Sequence, residues 1–555
     1  MIFEHRYYNQ SRVENTVFNT QISFAPDTLR KPVHFTARLA RSLPFREAIS
    51  ALHDVVISDL RIRPKNRAAY FDWLKEQEAG MLADYMAHSE EVREKMTSLQ
   101  AELAVLRTVK DAKLAPFRQA QRRYFDYLYK ENRDAWLVLD PVITVHPDRL
   151  FFECFSRDES TYACLSCSHD IFAQTGEFAC GTTNIDYSAD LYDEFQKIRD
   201  YKTTQFNIAA EGFQARTTDD PACIETKIDL PDSWVRGFLQ AGSAMTMPAH
   251  TIELHPMDIY NICLLLRRRK EWTGPRAIRF VLAPGQPVKM IFEPWEHEIT
   301  CPRSRYDGTD AAEIRLWGRR RLLTLERLIP IAKRFTVRLL GNGMPSFWIA
   351  EMPDMQYTLG LSGWTANDWS RAGQFDLLAP RANVPEAETA RVLAALSADW
   401  FATEAGLARS TGLPAATIAA ALTLLAQAGR AIYDIANRVW RLRELSATPL
   451  PLPQLRFASP REEAAARLLA DGPLRVELHK MDRGTYRLQG KLADGKHTCQ
   501  ANLLIDADER LIDGDCQCSF FVRNRLRRGP CEHMLALRQS LAAEKILHTC
   551  RNNEP

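Results

Sequence analysis

The feature that most constrains this chain is a group of three cysteines and one histidine. Cys516 and Cys518 form a C-x-C pair, and Cys531 and His533 form a C-x-H pair after twelve intervening residues. Zinc takes four sulfur or nitrogen ligands in a tetrahedron, so two short chelating pairs joined by a loop match its requirement. Three thiolates and an imidazole leave no coordination position for water. The spacing therefore predicts a structural zinc site rather than a catalytic one.

The rest of the composition is that of an ordinary globular protein. The 555 residues include 12 cysteines, which is too few for a disulfide scaffold. The net charge of +2 gives the whole molecule no field that would attract nucleic acid or an anionic membrane. There is no apolar run of the ~20 residues that cross a bilayer, and the start has no signal-peptide pattern. We expect a cytoplasmic protein without membrane contact.

Changes of pattern along the chain predict a multi-domain α+β protein, because a single hydrophobic core rarely exceeds ~300 residues. Residues 1–63 are rich in β-runs such as PVHFTARL and VVISDLRI. Residues 136–382 mix strand and helix patterns and are predicted to form an α+β body. Between them, residues 64–135 are predicted to form a helical hairpin or coiled coil, because their apolar residues recur at helical spacing. These include Val92, Met96, Leu99, Leu103 and Leu106.

Residues 385–445 have the element order of a winged helix-turn-helix, with three helices followed by a strand pair. The helix in the recognition position, Ala415–Gln427, contains no Arg, Lys, Asn or His that could read base edges. Only its flanks are basic, at Arg430, Arg438, Arg441 and Arg443. We therefore expect a structural or protein-docking role for this module rather than sequence-specific DNA binding.

The prolines in residues 446–460 are too dense for a helix or a central strand, which indicates a linker. Residues 461–550 follow as the predicted zinc-binding module. They show one helical stretch, then four strand-like runs separated by turns at DRG, ADGK and DADE, and finally the cysteine and histidine pairs.

The loop between the two ligand pairs is strongly basic. Four of its positive charges fall within six residues, at Arg523, Arg525, Arg527 and Arg528. Because zinc would hold both ends of the loop, we expect Phe520 and Phe521 to pack toward the module and the arginines to project outward. The loop is a solvated spacer, a contact surface for an acidic protein, or a nucleic-acid-binding surface, in which phosphate contacts alone would carry no sequence information. Since no other segment extends the positive patch, an acidic protein is favoured over nucleic acid as the partner.

A second cysteine group is weaker. Cys164, Cys167, His169 and Cys180 lie in an apolar, strand-like region. Three interpretations are open: a second zinc site, a redox dithiol, and inert thiols that behave as small apolar side chains. The apolar surroundings favour the third.

Motifs typical of enzymes are absent. The sequence has no G-x-x-x-x-G-K-[ST], no H-E-x-x-H and no G-x-S-x-G. We therefore expect a non-enzymatic protein, with a hydrolase or nuclease in the α+β body as the less favoured alternative. Trp317, in the run EIRLWGRRRLL, is either a core or interface aromatic with arginine stems packed beside it or part of an arginine-lined anion or partner site.

The C-terminal pattern resembles a known family. A β-meander, C-x-C, a spacer, C-x-H and a helix beginning HMLAL together resemble the SWIM zinc finger, over about the last tenth of the chain. The stretches GTTNIDYS, LPDSWVRGF, RLWGRRRL and LGLSGWTANDW are similar to long bacterial SWIM-domain proteins encoded beside MoxR-type AAA+ ATPases and von Willebrand A-domain proteins. This resemblance implies a zinc-binding protein that works with those partners. It implies no catalytic residues.

Overall fold

Antiparallel sheets flanked by helices make up most of the fold. The computed structural model describes residues 5–7, 12–15, 19–26, 33–58, 141–185, 195–201, 203–208, 225–227, 232–271, 274–363, 377–379, 381–446, 449–457, 459–470, 476–481, 485–494, 497–506, 508 and 510–540. The described residues all belong to one compact unit formed by Met1–Asp59 and Val138–Pro555. The helical hairpin predicted for residues 64–135 lies outside the described residues.

In chain order the described strands are β1 His5–Tyr7, β2 Arg12–Asn15, β3 Asn19–Phe24, β4 His34–Leu39, β5 Val142–Val145, β6 Arg149–Phe155, β7 Thr161–Ser168, β8 Phe172–Ala179, β9 Gly181–Asn184, β10 Thr203–Ile208, β11 Glu225–Lys227, β12 His250–Leu254, β13 Ile278–Leu282, β14 Pro287–Phe292, β15 His297–Arg305, β16 Ala312–Leu316, β17 Arg334–Leu339, β18 Ser346–Met352, β19 Met355–Leu361, β20 Phe401–Ala402, β21 Ala431–Asp434, β22 Val439–Leu442, β23 Val476–Lys480, β24 Tyr486–Asp494, β25 His497–Ile505 and β26 Leu511–Cys516.

The described α-helices are α1 Ser42–Ile57, α2 Asp232–Met245, α3 Pro256–Arg268, α4 Glu386–Asp399, α5 Glu404–Thr411, α6 Ala415–Gln427, α7 Leu452–Leu455, α8 Pro460–Ala470, α9 Ser519–Asn524 and α10, which is described over residues 532–540. Two 3₁₀ helices cover His169–Ile171 and Arg319–Leu328. No single described helix is long and apolar enough to cross a bilayer. The helices α5 and α6 reach that length and apolar character only together, as a pair bent by 111°.

An eight-stranded antiparallel sheet, in the order β12-β17-β18-β19-β7-β6-β5-β9, is the centre of the fold. Successive side chains of a strand point to opposite faces, and here both faces are covered. Along β6, Leu150, Phe152 and Cys154 join the larger core. Phe151 and Phe155 join a second core with α2 on the other face. This burial on both faces explains why β6 reads as a nearly continuous apolar run.

The N-terminal strands contribute to a sheet completed by later residues. β3 pairs in parallel with β10, and β4 pairs with β10 and β8 in antiparallel fashion, in the order β2-β3-β10-β4-β8. The β-pattern of PVHFTARL is thus confirmed by β4. The prediction of a strand in VVISDLRI is wrong for Val55–Ile57, which end α1. Residues at helical spacing along α1, among them Phe45, Ile49, Leu52 and Val56, are buried, so packing overrides the β-propensity of its last residues.

Residues 385–445 contain the predicted three helices, α4 to α6, and the strand pair β21–β22, to which β20 adds a short third strand. They have a small core of their own, which includes Leu396, Leu407 and Leu422. The Pro-rich segment that follows was predicted to lack helix, but it forms the single turn α7. Pro453 stands at the start of this turn, where no backbone donor is needed.

Residues 460–540, which we call the metal-binding module after its predicted ligands, comprise α8, the sheet β23-β24-β25-β26, α9 and α10. All three strand pairings are antiparallel between sequence neighbours, which makes a β-meander. One face of the sheet, with Leu488, Leu503 and Ile505, packs into a core that also contains Met534 and Leu537 of α10. This small core surrounds the cysteine and histidine group.

Candidate metal centre

Three separate elements bring the four predicted ligands together. Cys516 is the last residue of β26 and lies opposite Ala501 of β25. Cys518 is the N-cap of α9, and Cys531 directly precedes α10, in which His533 lies. One ligand atom from each of these residues lies within 4.8 Å of all the others. Among the described residues this is the one group of at least three potential ligands that can hold a metal ion.

The spacing and burial of the four side chains fit a tetrahedral ion. A zinc–sulfur bond of about 2.3 Å gives a tetrahedron with edges of about 3.8 Å, and the four ligand atoms lie within 4.8 Å of one another. The side chains of Cys531 and His533 are 0% exposed, and Cys516 and Cys518 are buried. A site closed to solvent in this way matches a structural ion rather than one that holds a reactive water.

Backbone donors support negative charge on all three sulfurs. The Phe521 N–H donates to Cys518 Sγ at 3.4 Å. The backbone N–H groups of Cys518 and Met534 donate to Cys516 and Cys531 respectively. Such N–H···S bonds stabilise thiolates, as does the N-terminal end of a helix. The backbone at these turns therefore favours the thiolate form of the cysteines, which is the form that binds a cation.

The thiols are also coupled to one another. A hydrogen bond from Cys516 is the main reason that the pKa of the Cys531 thiol is lowered to about 4, and a bond from His533 contributes. The same bond between the cysteines raises the pKa of Cys516, and burial raises the pKa of Cys518. A divalent cation would favour the ionised form of all three thiols.

The basic loop, residues 519–530, has the predicted arrangement. Phe521 is buried and Phe520 packs partly against the core of the module. The arginines are exposed, at positions Arg523, Arg525, Arg527 and Arg528. Val522 stands among them with 61% of its surface exposed. Arg525 Nη1 lies 3.9 Å from Asp515 Oδ1, where both side chains are mostly exposed.

Arg461 of α8 fixes the basic loop through hydrogen bonds to its backbone and a contact with Phe520. Its Nη1 donates to the carbonyl oxygens of Arg528 at 2.9 Å and Pro530 at 2.7 Å. Its guanidinium carbon lies 4.8 Å from the centre of the Phe520 ring. The sequence pattern had not indicated this residue, because nothing in an exposed-looking helix start identifies a carbonyl partner 67 positions away.

The basic flanks of α6 are mostly engaged within the protein. Arg441 is 2% exposed and pairs with Asp148 at 2.8 Å and Asp434 at 2.7 Å. Arg443 is 1% exposed and its Nη1 donates to Glu153 at 2.8 Å. Of the other two, Arg430 pairs with Glu444 and Arg438 is exposed. Arg441 and Arg443 therefore attach this module to the eight-stranded sheet and are not available to phosphates.

The structure does not bring the second cysteine group together. Cys164 and Cys167 lie three positions apart on β7, so their side chains point to opposite faces of the sheet. Cys164 is part of the core with α2, and Cys167 is part of the larger core on the other side. His169 packs against Phe35, with 5.2 Å between ring centres, and Cys180 is partly exposed. The geometry fits the inert interpretation of these residues.

Alkylation should distinguish inert from reactive thiols at these positions. Burial raises the pKa of Cys167 to about 12 and the pKa of Cys164 well above its usual range, and the thiolate is the nucleophile. We expect iodoacetamide at about pH 8 to leave both unmodified in the folded protein and to modify both after denaturation. Peptide mass spectrometry measures this. Rapid native labelling of either residue would instead indicate an accessible thiolate and favour the redox interpretation.

Comparisons with known proteins add little to these observations. No protein-family profile matches the sequence, and no curated protein matches it. Among solved structures, the chain is similar to the proliferating cellular nuclear antigen of Entamoeba histolytica. The TM-score is 0.32 and the identity 9%, over 59% of this chain and 98% of that one. A TM-score of 0.32 is too low to support an argument about fold or function.

Proposed function

We propose that this chain is a non-enzymatic zinc-binding scaffold of the bacterial SWIM kind, which binds protein partners through its metal-stabilised module. The observation that carries the proposal is the buried set of three sulfurs and one imidazole, each sulfur supported by a backbone donor. Thiolate and imidazole ligands in a closed tetrahedron suit zinc, which needs no open position when its role is structural.

The basic loop is the proposed contact surface. Both of its ends adjoin metal ligands and Arg461 bonds to two of its carbonyl oxygens, so little entropy would be lost when a partner binds. Val522 gives the surface an apolar centre, which suits a protein segment better than a phosphate backbone. The proposed partner is therefore an acidic protein.

The proposed partners are a MoxR-type AAA+ ATPase and a von Willebrand A-domain protein, because the sequence resembles proteins that are encoded beside them.

Residues 385–445 are proposed to be a winged-helix-like module with a structural role. The 111° bend between α5 and α6 supports this, as do the buried ion pairs of Arg441 and Arg443. A DNA motif whose selection required Ala415–Gln427 would contradict the structural role.

Neutralising the basic loop should weaken partner binding without changing stability. We expect the combined change Arg523→Gln, Arg527→Gln and Arg528→Gln to reduce affinity for the ATPase or the A-domain protein about tenfold at low salt, and less at high salt. Zinc content and melting temperature should stay nearly unchanged, because exposed charges contribute little to stability. Arg525 is left intact because its φ of 49° makes substitution there harder to interpret.

The matched control for this experiment replaces two exposed cations of the same module, Arg487→Gln and Lys491→Gln, on the outer face of β24. Binding is measured by interferometry at two salt concentrations. Equal binding by the triple variant and the parent would mean that the loop is a solvated spacer. Binding of duplex DNA with a log K against log salt slope near −3.6, for about four phosphates, would favour the nucleic-acid alternative.

A further inference from the structure

The turn between β25 and β26 places a carboxylate against the β-rich body of the protein, by which we mean the described residues up to position 363. Asp508 in this turn is 0% exposed. Its Oδ1 accepts hydrogen bonds from the backbone N–H of Arg276 at 2.8 Å and from Nε1 of Trp317 at 2.9 Å. Its Oδ2 accepts a bond from Nε of Arg276 at 3.1 Å. Three donors, one of them on a charged group, thus surround one carboxylate.

The residues around the Asp508 carboxylate leave just enough space for it. A Cβ at Gly274 would lie 2.6 Å from Oδ2 of Asp508, so a larger residue at position 274 would have to displace the carboxylate. The guanidinium of Arg315 lies 4.6 Å from the centre of the Trp317 ring and fixes the indole from its face. Trp317 is thus a buried aromatic beside an arginine, which fits the core interpretation, and its indole N–H donates to a carboxylate of the chain itself. We call Gly274, Arg276 and Trp317 the carboxylate socket.

Hydrogen bonds within the turn hold it in the conformation that directs Asp508 toward the socket. Oδ1 of Asp506 accepts hydrogen bonds from the backbone N–H of Asp508 at 2.8 Å and of Arg510 at 2.9 Å. β25 packs into the core of the metal-binding module through Leu503 and Ile505, and β26 ends at Cys516, one of the four predicted ligands. The turn thus stands at one end of a strand ~20 Å long whose other end is at the metal centre.

We propose that the carboxylate socket docks the metal-binding module onto the body through Asp508, and that this docking depends on the bound metal. When the metal keeps β26 and α10 packed, the turn presents Asp508 to the socket. When the metal is lost, β26 is no longer fixed at Cys516 and the carboxylate leaves its donors. The basic loop, which belongs to the same module, would then lose its fixed position relative to the body. This inference concerns the coupling of the module to the body and goes beyond the proposed partner binding.

Hydrogen exchange at Arg276 tests the docking in the full-length protein. The backbone N–H of Arg276 donates to Asp508, two residues before β13 begins, so its protection reports occupancy of the socket. In Asp508→Asn the amide group would turn an N–H₂ toward the donors of the socket. We expect exchange at Arg276 to accelerate roughly 10- to 100-fold, the range for losing hydrogen bonds to a charged group.

Gly274→Ala changes the receiving side and leaves the metal-binding module untouched. It should accelerate exchange at Arg276 as Asp508→Asn does, and the two changes together should do little more than either alone. Asp513→Asn, at an exposed position of β26, is the matched control and should have no effect. Unchanged exchange at Arg276 in both Asp508→Asn and Gly274→Ala would overturn the docking role.

Removal of the metal with a chelator tests the second part of the proposal. In the parent protein it should accelerate exchange at Arg276, and in Asp508→Asn it should cause no further change at that position. The coupling to the metal would be overturned if exchange at Arg276 is faster in the two variants but does not change in the parent protein when the metal is removed. Asp508→Asn should keep its metal, so the coupling can fail while the zinc proposal stands. If the parent protein holds no metal, the zinc proposal and the coupling both fail, and the docking through Asp508 is still tested by the two variants.

Discussion

Replacing Cys531 by serine is expected to remove the metal and unfold the metal-binding module while the β-rich body stays folded. Cys531 is 0% exposed and hydrogen-bonds with the three other members of the group, so serine would leave an incomplete and poorly matched ligand set. Structural zinc in small domains contributes on the order of 10 kcal/mol of folding free energy. The core of this module is small and cannot replace such a contribution.

Three measurements check this expectation. Elemental analysis should find about one zinc per chain in the parent and almost none in Cys531→Ser. Hydrogen exchange should lose protection in residues 511–540 and keep it in the eight-stranded sheet. Cys499→Ser is the matched control, since Cys499 is a partly buried thiol of β25 in the same module, outside the ligand group and in no disulfide. A parent protein without metal, or a Cys531→Ser protein with its full metal content, would contradict the zinc proposal.

Replacing Arg443 by methionine is expected to destabilise the chain by about 3–5 kcal/mol. Arg443 and Glu153 are almost fully buried, and Tyr162 also donates to Glu153, at 2.7 Å. Removing the guanidinium would leave a carboxylate in the core between the sheet and α2 without its counter-charge. The penalty for such an uncompensated buried charge is larger than the net contribution of the pair itself.

A double variant separates these two quantities. Arg443→Met combined with Glu153→Gln removes both charges and should recover most of the lost stability, because no buried charge is left unpaired. Arg409→Met, at an exposed position of α5, is the control and should change stability by less than about 0.5 kcal/mol. Chemical unfolding followed by circular dichroism measures all four proteins. A single Arg443→Met variant as stable as the parent would show that this ion pair does not hold residues 385–445 to the sheet.

The metal-ligand group could be predicted from the sequence because its chemistry is local. Its four residues fall within 18 positions, and the C-x-C and C-x-H spacings already bring each pair to one end of an element. The strands of the C-terminal meander could be predicted for the same reason, since each pairs with its sequence neighbour across a short turn. The outward position of the arginines followed from the constraint at both ends of the loop.

The interactions between modules could not be predicted in this way. Arg443 and its partner Glu153 are 290 positions apart, and Trp317 and Asp508 are 191 apart. In the sequence Arg441 and Arg443 looked like basic flanks of a recognition helix, and Asp508 was one of several acids in a polar turn. Neither pattern contains information about which distant carboxylate or guanidinium lies opposite.

The sequence by itself therefore determined the candidate metal centre, its basic loop and most strands near them, because short-range spacing and hydrophobic alternation specify these directly. Only the tertiary structure decided which charges are buried and which are free. It paired Arg441 and Arg443 with acids of the sheet, separated Cys164 from Cys167 across that sheet, and placed Asp508 in a socket. The physical reason is that a charge enters the interior only where a partner offsets its desolvation, and that partner is chosen by chain packing rather than by sequence neighbours.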